Sequence, residues 1–186
     1  MNKYDSQIHK YFIDDNEIPS VTQIIPKQNF YVSDKRLEET RQEGSEIHSL
    51  IKYYFDTGYI GDNTMLKSLD EWLNKNKELT GELLFYEKPL FQEHYKFAGK
   101  PDAVFENCII DFKRSFGNKK NHALQLAGYN ILINKNIDNW FILFYDEIKN
   151  KFYKRSVFDF TATNIFLSLV EKYYIDKNFN LWMNKK

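Results

Sequence analysis

The sequence predicts a mixed α/β or α+β domain in which helices flank a central mixed β-sheet. Segments with apolar residues at helical spacing occur before, between and after segments rich in aromatic and branched residues, which short turns interrupt. This order favours helices layered on a sheet over a pure helical bundle. The length of 186 residues fits one domain spanning residues 1–186, and a content of 42% hydrophobic and 17% aromatic residues excludes an intrinsically disordered chain.

The N-terminal part is predicted to form a hairpin and then a long helix. Residues 10–18 fit a hairpin that turns at Asp14-Asp15-Asn16, and a short apolar segment follows at residues 21–25. Ser33 is a suitable N-cap for a helix that runs to about Phe55.

The middle of the chain changes from helix to strand. A second helix opens at Asp62 or Asn63, because apolar residues recur after it at helical spacing. Three segments rich in aromatic and branched residues then predict strands at residues 83–91, 95–105 and 108–114.

The C-terminal third alternates between the two structures. A helix is predicted from Asn118 or Lys119 to Ile133, and a last helix runs from about Thr161 into the 170s. Between them, the pattern predicts a hairpin of residues 140–148 and 152–158 around the turn at 149–151.

Composition and charge exclude several classes of protein. Cys108 is the only cysteine, so the chain holds no internal disulfide, four-cysteine zinc site or cysteine-ligated iron–sulfur cluster. The apolar runs are far shorter than the roughly 18 residues of a membrane span, and the N-terminus lacks the apolar stretch of a signal peptide. We therefore expect a cytoplasmic protein without a membrane partner. Because 26 basic residues balance 26 acidic ones, binding of nucleic acid must depend on local patches.

Two carboxylates and a lysine stand out at the ends of neighbouring strand segments. Asp102 follows the turn Gly99-Lys100-Pro101, and Asp111 follows three apolar residues. Strand residues two apart share a face, so Asp111 and Lys113 point the same way while Phe112 turns into the core. Close carboxylates repel unless a proton or cation lies between them, and oxygen ligands favour a divalent ion such as Mg²⁺. Such an ion would activate a water, and Lys113 would orient that water or offset charge in the transition state.

The spacing of these residues is weak evidence for a site when it is taken alone. Asp138, Glu147 and Lys149 repeat it, but they lack the Gly–Pro turn, and Lys149 falls in a predicted hairpin turn. The alternative is that Asp111 and Lys113 form a salt-bridged strand end, and the bare spacing favours that alternative.

A histidine strengthens the case for a site. His48 lies four residues after Gly44 in the first long helix, so both face the same side. A glycine there lets the helix approach another backbone closely while His48 projects toward the acids. An imidazole beside two carboxylates makes Mn²⁺ suitable as well as Mg²⁺. The alternative for His48 is a solvated or hydrogen-bonded residue.

Two further features involve the segment after the third predicted strand. Gln125, Tyr129 and His122 share one helix face and would reach phosphate or ribose oxygens; the alternative is a partly exposed polar stripe with Tyr129 half in the core. A basic run with no acid among its members is formed by Lys113, Arg114, Lys119 and Lys120. Beside a metal site such a run would pair with phosphates, and otherwise it is a solvated loop.

In their order along the chain, these residues resemble the motifs of the PD-(D/E)XK nuclease superfamily, in particular its RecB-like branch and the small phage-type exonucleases. The matching positions are Gly44 with His48, Glu87, residues 99–102, Asp111-Phe112-Lys113, and Gln125 with Tyr129. Residues 18–25 also look like the opening of the phage-type proteins. The resemblance covers residues 10 to 130, approximately, and leaves the last third unmatched.

The resemblance implies a restriction-endonuclease-like core and a set of catalytic residues. The ligands of Mg²⁺ or Mn²⁺ would be His48, Asp102, Asp111 and the carbonyl of Phe112. The catalytic residues would be Asp102, Asp111, Lys113 and Glu87, and the third motif would be Gln125 and Tyr129. Glu87 would be the acid that precedes the Gly–Asp turn, a role for which Glu82 and Glu93 compete.

The resemblance also implies the hydrolysis of DNA phosphodiester bonds, by an exonuclease of phage-type recombination, replication or repair. The partners would be double- or single-stranded DNA and, beyond it, a second copy of the chain or a recombination protein. Phe116 and Tyr31 are candidate stacking platforms for single-stranded bases. The alternatives are a catalytically idle nucleic-acid-binding subunit on the same fold and a regulatory protein such as a phage-encoded inhibitor of its host.

Overall fold

The computed structural model describes residues 1–26, 34–114 and 117–183, with the backbone alone at residues 34–45 and at 182. The helices are α1 (Val21–Ile24), α2 (Asp34–Thr57), α3 (Thr64–Lys75), α4 (Lys77–Thr80), α5 (Lys119–Ile133) and α6 (Ala162–Met183). The strands are β1 (Asn2–Asp5), β2 (Lys10–Ile13), β3 (Asn16–Ile18), β4 (Leu83–Tyr86), β5 (Leu90–Gln92), β6 (Phe97–Gly99), β7 (Ala103–Phe105), β8 (Cys108–Lys113), β9 (Asn139–Asp146) and β10 (Lys151–Ser156). Ser33, Tyr31 and Phe116 lie outside the described residues.

A five-stranded mixed sheet lies at the centre, in the order β10-β9-β8-β7-β4. Strands β8 and β9 are parallel, and the other neighbouring pairs are antiparallel. Helix α5 connects β8 to β9, because parallel neighbours need a crossover connection. The mixed fold class with a central sheet and flanking helices, predicted from the sequence, is therefore confirmed.

Helices cover both faces of this sheet, because successive strand side chains point to opposite sides. Ile109 and Ile110 are both fully buried in β8. Ile109 packs in a cluster with residues of α1, α5 and α6, whereas Ile110 packs with residues of α2 and α3. None of the helices in the described part of the chain is both long and apolar enough to cross a lipid bilayer.

Two small antiparallel sheets lie beside the central one, β1-β2-β3 and β5-β6. The predicted hairpin at residues 10–18 is confirmed as β2 and β3, whereas β1 was not predicted. Tyr11 and Ile13 of this N-terminal sheet form a buried cluster with Ala98 of β6. The N-terminal sheet therefore packs against the segment that leads to Asp102.

The segment 21–25 forms helix α1, although the sequence pattern indicated only an apolar segment. Ser20 caps it: its Oγ accepts the N–H of Gln23, and Oε1 of Gln23 accepts the N–H of Ser20. This reciprocal pair is a capping box, which the spacing of Ser20 and Gln23 encodes. The predicted starts of α3 and α5 agree with the structure, because Asn63 and Asn118 cap them with their side chains.

Two of the predicted strands are each broken in two, and this corrects their boundaries. Residues 83–91 divide into β4 and β5, since Glu87 takes a left-handed φ of 43° and Pro89 has no N–H to donate. Residues 95–105 divide into β6 and β7 around Pro101, so Asp102 precedes β7. The last helix is also longer than predicted and ends at Met183.

Candidate functional site

The end of β8 carries the two charged residues at the centre of the site. Asp111 and Lys113 are on the face that α5 covers, and Phe112 points to the opposite face, where it is 1% exposed. Asp111 is 0% exposed, because β8 is the middle strand of the central sheet. Its Oδ2 lies 2.6 Å from Nζ of Lys113. The alternation that the sequence predicted for these three residues is present.

Asp102 lies beside Asp111 because the main chain holds it there. Its Oδ2 accepts a hydrogen bond from the backbone N–H of Phe112 at 2.8 Å. Its carbonyl oxygen accepts the backbone N–H of Glu87 at 3.0 Å. One carboxylate is thus tied directly to the strand that carries the other.

The two carboxylates change the acidity of the groups around them. Burial, and then the charge of Asp111, raise the pKa of Asp102 to about 6, although His48, Lys113 and the N–H of Phe112 act in the opposite direction. Burial lowers the pKa of Lys113, but the two carboxylates outweigh it and leave this pKa above its ordinary value. The site therefore holds concentrated negative charge that Lys113 offsets only in part.

His48 reaches Asp102 from helix α2. Its Nδ1 lies 3.6 Å from Oδ1 of Asp102, and its side chain is 30% exposed. When it is protonated, His48 forms an ion pair with Asp102. The structure therefore brings the histidine and both acids to one place, as the sequence predicted. The side-chain surroundings of Gly44, which was expected to help this approach, lie outside the described residues.

Helix α5 contributes a hydrogen-bonded pair. The Nε2 of Gln125 donates to Oδ1 of Asp111 at 3.0 Å and to the hydroxyl of Tyr129 at 3.1 Å. Burial, and then the charges of Asp111 and Asp102, raise the pKa of Tyr129 well above its ordinary value. Gln125 thus contacts Asp111 directly and links Tyr129 to it, an arrangement that the sequence did not indicate. Their role toward phosphate or ribose stays a prediction.

Glu87 lies at the edge of the site. One of its carboxylate oxygens is 3.2 Å from Nζ of Lys100, and its N–H is bonded to Asp102. The two competing acids point elsewhere, since Glu82 pairs with Lys77 and Glu93 accepts a hydrogen bond from Asn2. Of the three acids, Glu87 is the one next to Asp102.

No protein-family model matches the sequence, and no curated protein matches it. Solved structures do match. The chain is similar to LHK-Exo in complex with dAMP, with a TM-score of 0.56 and 11% identity over 90% of this chain and 91% of that one. LHK-Exo is an alkaline exonuclease from Laribacter hongkongensis. The chain shares the fold of LHK-Exo.

A second structure of exonuclease type has a lower score. A phage-related exonuclease from Haemophilus somnus 129PT gives a TM-score of 0.39 and 14% identity, over 88% of this chain and 96% of that one. The fold assignment therefore depends on LHK-Exo and not on this second structure. The predicted resemblance to exonucleases is therefore confirmed for the fold alone, through LHK-Exo.

The basic run contains no acid in the sequence, but acids from other parts of the chain lie near it in the structure. Arg114 lies 4.0 Å from Glu147, one of the residues of the repeated spacing. Lys119 and Lys120 are exposed at the start of α5. The pKa of exposed Asp159 is lowered mainly by hydrogen bonds from Thr161, and the charges of Lys119 and Lys120 lower it further. Acids from β9–β10 and from the loop before α6 therefore approach the basic run. Phosphate binding by these residues stays a prediction.

His122 lies one helical turn from this basic run. A Cβ at Gly117 would be 2.7 Å from Nε2 of His122, so the loop that enters α5 packs closely on the imidazole. His122 is partly buried, and the contacts above to Asp111 come from Gln125 and not from it. Its predicted contact with nucleic acid is not tested by this arrangement.

The carboxylates of Asp102 and Asp111 and the imidazole of His48 are suitable ligands for a divalent cation, although their present arrangement does not surround a metal position. Among the described residues, no three His, Cys, Asp or Glu side chains are arranged to hold one metal ion. Asp111 directs its oxygens to Lys113 and Gln125. Oxygen donors beside an imidazole suit Mg²⁺ or Mn²⁺, and a cation would offset the burial and the charge of Asp111, which together raise the pKa of Asp102. A bound ion would therefore compete with Lys113 for Asp111.

The sequence reasoning missed the residues that the N-terminal sheet adds next to the site. Tyr4, His9 and Tyr11 line a cavity of about 200 Å³ whose opposite wall includes Lys100 and Tyr129. No sequence spacing indicated that Tyr4, His9 and Tyr11 lie next to the site, because their position depends on the packing of the three-stranded N-terminal sheet. Lys100 itself carried a signal, since it lies in the Gly–Asp turn.

Proposed function

We propose that the chain is a metal-dependent nuclease that hydrolyses DNA phosphodiester bonds as an exonuclease. The observation that carries the proposal is the convergence of Asp102, Asp111 and Lys113, with His48 at 3.6 Å from Asp102. These groups come from α2, the β6–β7 turn and β8, and together they form a buried anionic centre next to a lysine. Such a centre suits the cleavage of a phosphodiester.

Each residue has a role that follows from its contacts. Asp102, Asp111, His48 and the carbonyl of Phe112 would hold Mg²⁺ or Mn²⁺. When bound, such an ion supplies a water of lowered pKa and neutralises charge on the phosphoryl oxygens. The N–H of Phe112 keeps Asp102 oriented, and Gln125 keeps Asp111 oriented.

Lys113 acts as a cation and not as a base. Asp111 and Asp102 outweigh the effect of burial and hold its pKa above the ordinary value, so it stays protonated at neutral pH. A lysine in this state donates hydrogen bonds to the attacking water or to a phosphoryl oxygen. Its ammonium group offsets the charge that develops in the transition state.

The choice of DNA and of exonucleolytic action draws on the shared fold. LHK-Exo is an exonuclease and has been solved with dAMP, a deoxynucleotide. The role in phage-type recombination, replication or repair is proposed from the resemblance of the sequence motifs to phage-type exonucleases. Exposed Lys119 and Lys120 would contact phosphates of the DNA near the site.

The test compares linear and covalently closed circular DNA with Mg²⁺, Mn²⁺ or EDTA. We expect metal-dependent loss of linear DNA, resistance of the circle, and no activity in Asp111→Asn. Asp138→Asn is the matched control, because Asp138 belongs to the repeated spacing, is exposed, and should keep full activity. Intact linear DNA with every metal would contradict the proposal, and cleavage of the circle would replace the exonuclease with an endonuclease.

The second candidate function is a catalytically idle nucleic-acid-binding protein on the same fold. The observation that favours it is that Lys113 and Gln125 occupy both oxygens of Asp111. If DNA binds without being cut in any of these metals, this candidate takes the place of the nuclease.

A further inference from the structure

A cavity next to the site is lined by Tyr4 and Tyr11, which have no role in the proposed hydrolysis. Its volume is about 200 Å³, and it lies between the N-terminal sheet and the start of α1 on one side and β6 and α5 on the other. This volume is below the roughly 300 Å³ at which pockets for drug-sized ligands begin. The cavity therefore suits a single small group.

One wall of the cavity is a fixed aromatic surface. The ring of Tyr4 lies 4.8 Å from that of Tyr11, at an interplanar angle of 30°. The hydroxyl of Tyr4 is 2.9 Å from Nδ1 of His9. Tyr11 is buried and packs edge-on against Phe91, so the ring that Tyr4 contacts is itself held in place. Tyr4 is only half-buried, and its ring is held in place before any ligand arrives.

The other wall joins the cavity to the acidic centre. Tyr129 lines the cavity and shares the Nε2 of Gln125 with Asp111. Lys100 also lines it, and its Nζ is 3.2 Å from Glu87, whose N–H is bonded to Asp102. The cavity is thus linked to the carboxylate of Asp111 through Tyr129 and Gln125, and to the backbone of Asp102 through Lys100 and Glu87.

We propose that this cavity binds the base of a deoxynucleotide in the substrate strand, with Tyr4 as the stacking surface and Lys100 near its sugar–phosphate. The inference deepens the proposed function and rests on it for the nature of the ligand. A pre-positioned aromatic ring is the surface on which bases of any sequence stack, and a lysine beside it supplies the charge that a phosphate needs.

The test measures binding of two probes that differ only in the base, dAMP and 2-deoxyribose 5-phosphate, by titration calorimetry in EDTA. Loss of a stacking ring weakens binding by roughly 5- to 160-fold. We therefore expect Tyr4→Ala to raise the Kd of dAMP by that factor and to leave the Kd of the sugar phosphate unchanged. Tyr4→Phe, which keeps the ring but loses the bond to His9, should bind dAMP like the wild type.

The matched control is Tyr153→Ala, which removes an exposed tyrosine from the edge strand β10 and should change neither Kd. Thermal melts of each variant separate a loss of binding from a loss of folding. No binding of dAMP by the wild type, or equal binding by the wild type and folded Tyr4→Ala, would overturn the inference. DNA cleavage by the wild type is measured in parallel. If the wild type cuts DNA but Tyr4→Ala does not raise the Kd of dAMP, this subsite is refuted and the nuclease is not. If Tyr4→Ala raises that Kd but the wild type does not cut DNA, the nuclease is refuted and the subsite is not.

Discussion

Nζ of Lys113 lies 2.6 Å from Oδ2 of Asp111, the most deeply buried carboxylate of the site. The lysine thus occupies one side of the group that would bind a divalent ion. Asp111 is fully buried, and a buried carboxylate needs a compensating charge. In the structure that charge comes from Lys113, and in the proposed enzyme it would be shared with a metal ion.

We expect Lys113→Ala to separate ion binding from turnover. Removal of a competing cation should leave Mn²⁺ binding intact or tighter, whereas kcat on linear DNA should fall roughly 10²- to 10³-fold with the loss of a transition-state donor. Calorimetric titration with Mn²⁺ and single-turnover cleavage measure the two effects. Lys149→Ala, at the exposed lysine of the repeated spacing, is the control. Unchanged cleavage in Lys113→Ala would mean that another cation serves the reaction.

The pKa of Asp102 predicts how stability depends on pH in EDTA. Its folded pKa of about 6 is above the ordinary value of 3.8, so the folded state binds more protons than the unfolded state between these values. The contribution of Asp102 is therefore fully present below about pH 4 and is lost as the pH rises through about 6.

Asp102→Asn should remove this dependence while keeping the acceptor for the N–H of Phe112. Relative to the variant, the free energy of unfolding of the wild type should fall by an amount on the order of 2 kcal/mol between these pH values. Urea titrations from pH 4 to pH 8 measure the difference. Parallel curves for the two proteins would show that burial and the charge of Asp111 do not raise the pKa of Asp102 as described. In the same variant, Mn²⁺ binding and cleavage should both be lost.

Gln125→Ala should lower both stability and activity. It leaves Oδ1 of Asp111 and the hydroxyl of Tyr129 without the amide that now donates to both. An unsatisfied buried polar group costs about 1–3 kcal/mol, so urea unfolding should show a loss of that size. Gln125→Glu should reduce cleavage further, since it adds a negative charge beside Asp111. Gln7→Ala, at an exposed glutamine, should behave like the wild type in both measurements. Wild-type stability in Gln125→Ala would rule out the bridging role of this amide.

Lys119 and Lys120 should contribute to DNA affinity in proportion to the phosphates that they neutralise. In the double variant with alanine at both positions, the negative slope of log K against log salt for single-stranded DNA should become less steep by about 1.4. This is about 0.7 for each phosphate that is no longer neutralised. Fluorescence anisotropy in EDTA at several salt concentrations measures this slope. Alanine at Lys149 and Lys151, in and after the β9–β10 turn, is the control of equal charge. An equal decrease in both double variants would indicate a general effect of net charge and not a direct interaction.

The central sheet and most of the helices were predictable because local signals agree with the fold. The apolar run of β8, the Asn63 and Asn118 caps, and the turn of the last hairpin all encode their own structure. The turn at Gly99-Lys100-Pro101 was predicted, although the strand predicted at residues 95–105 ran across it, whereas the break at Glu87 was not predicted. Aromatic residues occur on both sides of these positions, and only the pairing shows that β4 and β7 join the central sheet while β5 and β6 form a sheet of their own.

The site was predictable as far as residue types and spacing define it. Asp102, Asp111 and Lys113 meet because two of them share a strand face and the third precedes the neighbouring strand. The contact between Gln125 and Asp111 depends on how α5 packs on β8, which no local pattern encodes. The aromatic wall around Tyr4 depends likewise on the packing of the N-terminal sheet.

The central claim is that His48, Asp102 and Asp111 hold one divalent ion that cuts DNA. Anomalous scattering from a crystal soaked in Mn²⁺ tests it most directly. We predict a single strong peak between these three side chains, with Nζ of Lys113 moved away from Oδ2 of Asp111. A crystal with Mn²⁺ bound only elsewhere, and with the pair of Lys113 and Asp111 intact, would contradict the account.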